Sequence, residues 1–440
     1  MRTRLLLAAF ALAAASLSFA ADSWPGFRGP TADGHATGKK VPTKWSEKEN
    51  VAWKTAIHGK GHSSPVVLGD QVWLTTSEEV IDPNPAPKKG GPPANAVKEV
   101  AFFAVCADRK TGKVLHDVKL RTEQNPLYCH PFNTYASSTP FVEEGRLYAH
   151  FSSHGTFCVD TATGKVLWER TDLKCNHFRG TGSSAAVYGD LLYLIFDGVD
   201  VQYVTALDKK TGKTVWKTDR QIKYGPGPGD GDHKKGYATP ALLTIDGKPQ
   251  LVCPSAECTM GYDPKTGDEL WRFAHGGMNG SARPVLSNGL LFLNSGSSGK
   301  LFALKAEGLK GEVPKEAAVW QVGKAVSVKP SVLAVGELLF MVNDSTGTAS
   351  CLEAATGKVV WSERLDGEFS SSPVFAGGNV YFCNQGGKNQ DCKTFVVKAD
   401  RTFTLVAENR LDGGFMASPA VVGDELFLRT KTHLYSIRKK

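Results

Sequence analysis

Along most of the chain, apolar runs of four to six residues alternate with small polar turns, a spacing that predicts short strands and leaves no long amphipathic helix. One phrase recurs: small residues ending in Pro, an apolar run, a Gly-Asp-type turn, and a second apolar run. It stands at Ser63-Ser64-Pro65-Val66-Val67, Ser138-Thr139-Pro140-Phe141-Val142 and Ala238-Thr239-Pro240-Ala241-Leu242, and again around Pro284, Pro330, Pro373 and Pro419. Ser183-Ser184-Ala185-Ala186-Val187 is the same frame with Ala for Pro, which makes eight copies, most of them about 45 residues apart.

A second phrase follows in most copies: Asp160 to Trp168, Asp208 to Trp216, Asp263 to Trp271 and Glu353 to Trp361 all carry Thr-Gly at the centre, and Asp108 to His116 is a variant. An acidic residue before a Thr-Gly turn favours a tight hairpin, because the carboxylate accepts backbone N–H bonds and Gly tolerates positive φ. Each unit therefore reads as four strands. With strands of about 5–6 residues and connections of about 4–6, a unit needs roughly 36–48 residues, which matches the observed period. The expected fold is all-β: an eight-bladed β-propeller of four-stranded antiparallel blades. The last copy, Ala417 to Ile437, has room for three strands, and the isolated strand Val51-Ala52-Trp53-Lys54-Thr55 supplies the fourth, closing the ring.

Composition changes this picture little: 440 residues, 41% hydrophobic and 22% charged, are ordinary for a globular protein. The start of the chain is different. Arg2 and Arg4, the apolar run Leu5 to Ala15, and the small residues Ser18 and Ala20 predict a cleaved export signal over 1–20. An N-terminal extension (21–49) and one propeller domain (50–440) follow. No cysteine precedes Cys106, so no lipid-anchoring cysteine is expected, and a periplasmic or secreted location is. No other window predicts a transmembrane segment. A net charge of +8 without a run of like charges argues against nucleic acid as a partner. A closed ring also predicts a monomer.

The repeated Asp-to-Trp phrase, complete at Ala206-Leu207-Asp208 through Trp216, resembles the tryptophan docking motif of the PQQ-like (pyrrolo-quinoline quinone-like) repeat propellers, and the resemblance runs from about residue 51 to 438. That superfamily contains quinoprotein alcohol dehydrogenases and non-enzymatic BamB-like scaffolds. The resemblance implies docking roles for Trp53, Trp168, Trp216, Trp271, Trp320 and Trp361. It also implies where this chain departs from the dehydrogenases: they carry adjacent cysteines over the quinone, whereas no two of the nine cysteines here are adjacent, and their calcium ligands find no match. The segment Trp24-Pro25-Gly26-Phe27-Arg28-Gly29-Pro30 resembles one that precedes the propeller in exported members; it could plug the channel mouth or tether a neighbour.

The loops that lead into the first strand of each blade (the inbound loops) converge on one face. Five of the eleven histidines fall there: His62, His130, His177, His233 and His275. With Arg179, Asn279 and Arg283 they form the candidate ligand-binding face, suited to a peptide or an anionic group. Cys129-His130 and Cys175-Asn176-His177 offer a conceivable Cys2His2 metal site, although a Cys129–Cys175 disulfide fits an oxidising compartment better. Cys253 with Cys258, and Cys383 with Cys392, flank hairpins and are further disulfide candidates. Cys106, Cys158 and Cys351 precede the acidic turn residue by two and read as small packing residues.

Nucleophile-elbow, zinc-helix and phosphate-loop motifs are absent from the sequence. The expectation is an exported, non-enzymatic scaffold that binds a protein or peptide partner through its loop face with no cofactor. Long loops at Val80 to Val97 and Tyr224 to Lys235 enlarge that face. The alternatives are a PQQ-dependent oxidoreductase and a metal-binding propeller.

Overall fold

A sheet with two apolar faces has to be covered on both sides, and stacking equal sheets around an axis achieves this with no unpaired central edge. The computed structural model describes residues 23–83, 96–227, 229, 231–386 and 391–439. The expected signal peptide and most of the Val80–Val97 loop lie outside them. Eight sheets, each of at least four strands, follow one another in chain order. In the second blade the strands are Phe141–Glu143, Arg146–His150, Thr156–Asp160 and Val166–Arg170, innermost first, all antiparallel. The final blade, Ala420–Val422, Glu425–Arg429 and His433–Ile437, is completed by Val51–Ala56. Val51 pairs with Ile437 and Ala56 with His433, so the expected closure is the observed one.

The Asp-to-Trp phrase explains how neighbouring blades are locked. Asp208 Oδ1 accepts from the amides of Lys210 and Thr211 and from the Thr211 hydroxyl, at 3.1, 2.8 and 2.7 Å. Gly212 follows at φ +72°, and a Cβ there would lie 2.7 Å from Trp168 of the preceding blade. That indole packs on the bare glycine and donates its N–H to the Lys209 carbonyl at 3.1 Å. Trp53, Trp216, Trp320 and Trp361 make the same bond to Arg109, Pro264, Ala354 and Asp400 at 2.8–3.0 Å. Trp168 sits across from Cys158, Trp216 from Ala206 and Trp361 from Cys351, so these positions are small because an indole covers them.

Trp271 departs from the pattern. Its indole N–H donates to Gln250 Oε1 of its own blade at 2.7 Å, over Gly261, where a Cβ would meet Trp271 Nε1 at 2.2 Å. The next blade has no Thr-Gly turn to receive it. Its third and fourth strands are separated by an insertion whose Gly311–Val313 adds in parallel to the fourth blade's outer strand, Glu269–Ala274.

One repeat is displaced from its sequence alignment. The inner strand of the sixth blade begins at Leu333, so Val332, not Pro330, holds the anchor position and Ser331 the hydroxyl position before it. The reason is a hydroxyl ring. The residue before each anchor donates its amide to the next blade's hydroxyl: Ser64 to Thr139, Thr139 to Ser184, Ser184 to Thr239, Ser331 to Ser372, Ser372 to Ser418 and Ser418 to Ser64, all at 2.9–3.0 Å. Arg283 donates to Ser331 at 2.9 Å but has no hydroxyl of its own to accept from Thr239.

Candidate functional site

Ser23–Trp24 pairs with the inner strand of the first blade, on its channel side. From there the chain crosses the channel. The Pro25 carbonyl accepts from Val142 of the second blade at 2.8 Å, and Arg28 Nη2 donates to the Val332 carbonyl of the sixth at 2.9 Å. His35 bridges to Phe375 of the seventh, and the Lys40 amide reaches Asp424 Oδ1 of the eighth at 2.8 Å. Segment 24–35 therefore plugs the channel from the side of the Gly-Asp turns. Arg283 holds it in place: Nη1 donates to the Phe27 and Ala32 carbonyls at 3.2 and 3.1 Å, and Nε to the Pro240 carbonyl. Arg283 was expected at the ligand-binding mouth. It is buried in the channel because its backbone occupies a hydroxyl-ring position, which turns the side chain inward.

Above the plug, on the inbound-loop side, lies a cavity of about 490 Å³ with Phe27 at its floor. Ser64, Thr139, Ser184, Thr239, Ser372 and Ser418 of the hydroxyl ring face it, and Tyr237, Met416 and Val328 add apolar wall. Of the candidate residues, the structure brings together His62, His130, Arg179 and Asn279. Among the described residues that line the cavity there is no Asp or Glu. Its cations are Arg179 and Lys329. Lys329 Nζ lies 4.7 Å from the Phe132 ring centroid, and since these residues lead into the sixth and second blades, diametrically placed in a ring of eight, the pair forms a bar across the mouth. Lys329 also meets Asp344 Oδ2 at 3.1 Å, behind the wall.

The two histidines of the cavity are neutral partners, not cations. Burial, with Arg429 and Lys431 nearby, lowers His62 to about 3, and burial with Arg179 lowers His130. His130 is fixed by its Nδ1, which accepts the Phe132 amide at 3.1 Å. Two polar atoms are buried without a hydrogen-bond partner: Arg179 Nε, whose nearest carboxylate oxygen, Asp232 Oδ1, is 3.7 Å away, and Asn279 Oδ1.

The other candidates are elsewhere. His177 is buried against Phe196 and Cys175 Sγ, and burial lowers it to about 4. His275 is buried with Thr259 Oγ1 and the Gly276 carbonyl as partners. His233 sits edge-on to Tyr224. Among the described residues no group of three or more His, Cys, Asp or Glu could hold a metal ion, so the Cys2His2 arrangement is not formed. All nine cysteines are free thiols. The expected bridges fail on register: Cys253 faces Met260 and not Cys258, and Cys383 faces Thr394 and not Cys392. Cys129 Sγ contacts the Arg179 carbonyl, whereas Cys175 Sγ contacts His177.

Sequence reasoning missed Phe27, Phe132 and Lys329. Phe27 lies in a motif it noted but could not place, and the other two carry no local signal. It named the hydroxyls only as part of the repeat frame.

These features define the class: a closed eight-bladed β-propeller with a plugged channel and, above the plug, a cavity whose described lining holds no carboxylate. A family model described as outer membrane protein assembly factor BamB matches residues 90–219 and 310–440. The chain belongs to the PQQ-like repeat β-propeller family. It is 30% identical to the 1-butanol dehydrogenase (quinone) of Thauera butanivorans over 243 residues, 47% of this chain and 35% of that protein. It is 24% identical to the tetrathionate hydrolase of Acidithiobacillus ferrooxidans over 358 residues, 76% of this chain and 65% of that one. The chain thus spans less than two thirds of either relative. Among solved structures, BamB from Moraxella catarrhalis superposes with a TM-score of 0.52 at 14% identity, covering 83% of this chain and 99% of that one. Quinohemoprotein alcohol dehydrogenase from Comamonas testosteroni gives 0.59 at 11% identity, covering 94% and 80%. Both show the fold alone.

Some of these relatives are named as quinone-dependent, and the residues present meet half of a quinone's needs. Arg179 and Lys329 suit the quinone's carboxylates. The cavity lining offers no carboxylate to ligate an accompanying calcium ion or to act as a base, so the residues do not fit the quinone with its metal.

Proposed function

We propose that this protein is an exported, monomeric binding propeller, without catalytic activity of its own, whose inbound-loop cavity takes an anionic ligand presented by a partner. One observation carries the reading: a blind cavity with no carboxylate on its described walls, lined by Lys329 and by the partly exposed Arg179, whose guanidinium lies 3.7 Å from Asp232 Oδ1, beyond hydrogen-bond reach. A guanidinium with a free donor in a partly dehydrated pocket favours a carboxylate or similar oxyanion.

Calorimetric titration of the purified protein with benzoate and with pyrrolo-quinoline quinone, at two salt concentrations, tests it. Salt-sensitive binding, weakened at least tenfold by Arg179→Met, is expected. Absence of binding by both anions at low salt overturns the reading.

The relatives favour a second reading, a quinone-dependent oxidoreductase, since one is named 1-butanol dehydrogenase (quinone). Reduction of an electron-accepting dye by the protein with quinone, calcium and 1-butanol, abolished by Arg179→Met, would establish it in place of the first.

A further inference from the structure

The central cavity does not stand alone. A side chamber of about 400 Å³ shares His62, His130, Phe132, Asn133 and Met416 with it. The chamber continues outward past Lys60 and Lys431 to Gln385, and Cys129, Pro131 and Tyr135 form part of its wall. Its one carboxylate, Glu79, is tied to Lys60 Nζ at 2.6 Å. The bar formed by Phe132 and Lys329 narrows the mouth above the central cavity, and the side chamber, which shares Phe132, gives it a second, lateral opening.

Three constraints follow. A compact ligand fills the central cavity and leaves the side chamber unused, whereas an extended one fills both. The central cavity is blind, closed by Phe27 and the plug that Arg283 holds, so a chain that enters it must end there. The end that Arg179 and Lys329 accept is an anion; they repel an α-ammonium. A peptide C-terminus meets all three constraints. Extended peptides captured by their terminal carboxylate are an established recognition mode on other scaffolds.

Resting on the anion-binding reading above, we propose that the two joined chambers capture the C-terminal end of a partner polypeptide, with the terminal carboxylate at Arg179 in the blind cavity and the preceding residues leaving through the side chamber between Lys60 and Lys431. The bar then serves as a roof that turns the chain sideways.

The test uses the full mature chain and a pool of random hexapeptides with free C-termini, beside the same pool amidated at the C-terminus, read by affinity selection and mass spectrometry. The free-acid pool should be enriched at least tenfold over the amidated pool. That preference should fall to below threefold in Arg179→Met. Thermal unfolding of that variant within a few degrees of the parent keeps loss of binding distinct from loss of fold. Equal capture of both pools, or a free-acid preference that survives Arg179→Met, overturns the proposal. Binding of benzoate with no capture of peptide overturns it while leaving the anion-binding reading in place, and failure of both benzoate and peptide overturns the two together.

Discussion

The amide of Ser418 donates to the hydroxyl of Ser64 at 3.0 Å, joining residues 354 positions apart in the chain. This bond closes the hydroxyl ring at the same place where the strand Val51–Ala56 closes the blades. Ser64→Ala leaves the buried Ser418 amide without an acceptor and should cost about 1–3 kcal/mol. Ser64→Thr should recover most of the loss, since Thr139 and Thr239 fill the same role in other blades. Chemical denaturation of the two variants decides the matter; equal stability of Ser64→Ala and the parent would remove the ring from any account of stability.

Gly267 stands at φ +76°, and a Cβ there would lie 2.5 Å from Trp216. Gly267→Ala should therefore force the docked indole aside and strain the turn, with a loss of at least 2 kcal/mol. The same change at Gly189, also at positive φ but with nothing within 4 Å, should cost only the backbone term of about 1 kcal/mol. The difference between the two denaturation midpoints isolates the docking contact.

Four histidines held below their ordinary pKa set the acid limit. Burial lowers His62 and His150 to about 3 and His177 and His275 to about 4. A folded-state value below the unfolded value of 6.5 means the unfolded chain binds more protons, so the stabilisation is complete above pH 6.5 and is lost as pH falls toward 4. Each group contributes about 1.4 kcal/mol per pH unit in that window. Stability measured from pH 7 to pH 5 should fall steeply, and His275→Gln should reduce the slope by one proton's worth. An unchanged slope would show that His275 is already protonated in the fold.

Arg283 ties the plug through the Phe27 and Ala32 carbonyls. Arg283→Met should loosen segment 24–35 without opening the blades, because Trp24 remains paired with Val67. Limited proteolysis should then cut within residues 28–35 in the variant and leave the parent intact at the same enzyme ratio. Resistance equal to the parent's would assign the hold on the plug to its other contacts, those of Pro25, Arg28 and His35 with Val142, Val332 and Phe375.

The architecture was legible in the sequence because it is periodic: eight anchors, a recurrent turn and a recurrent indole each repeat one physical problem with one solution. Pro330 misled where the two signals parted, since the ring needs the hydroxyl of Ser331 and tolerates any small apolar residue after it. The cavity was half legible. His62, His130, Arg179 and Asn279 converge as expected, whereas His177 and His275 point between blades, and inbound-loop residues carry no periodic signal to say which way they turn. The thiol pairs near hairpins were plausible by spacing, but spacing does not give register, and register places Cys253 against Met260.

Because Val51–Ala56 is the outermost strand of the last blade, the part of the propeller made first is among the last to find its partner. On the ribosome, the indole of Trp53 can dock on the first blade early, but its strand must wait until Ser436 has emerged, with an open edge exposed until then. Any chain cut short before His433 would keep both cut faces of the ring unsealed. Such a product should be held by chaperones or degraded, so the circle acts as its own check that the message was read to the end.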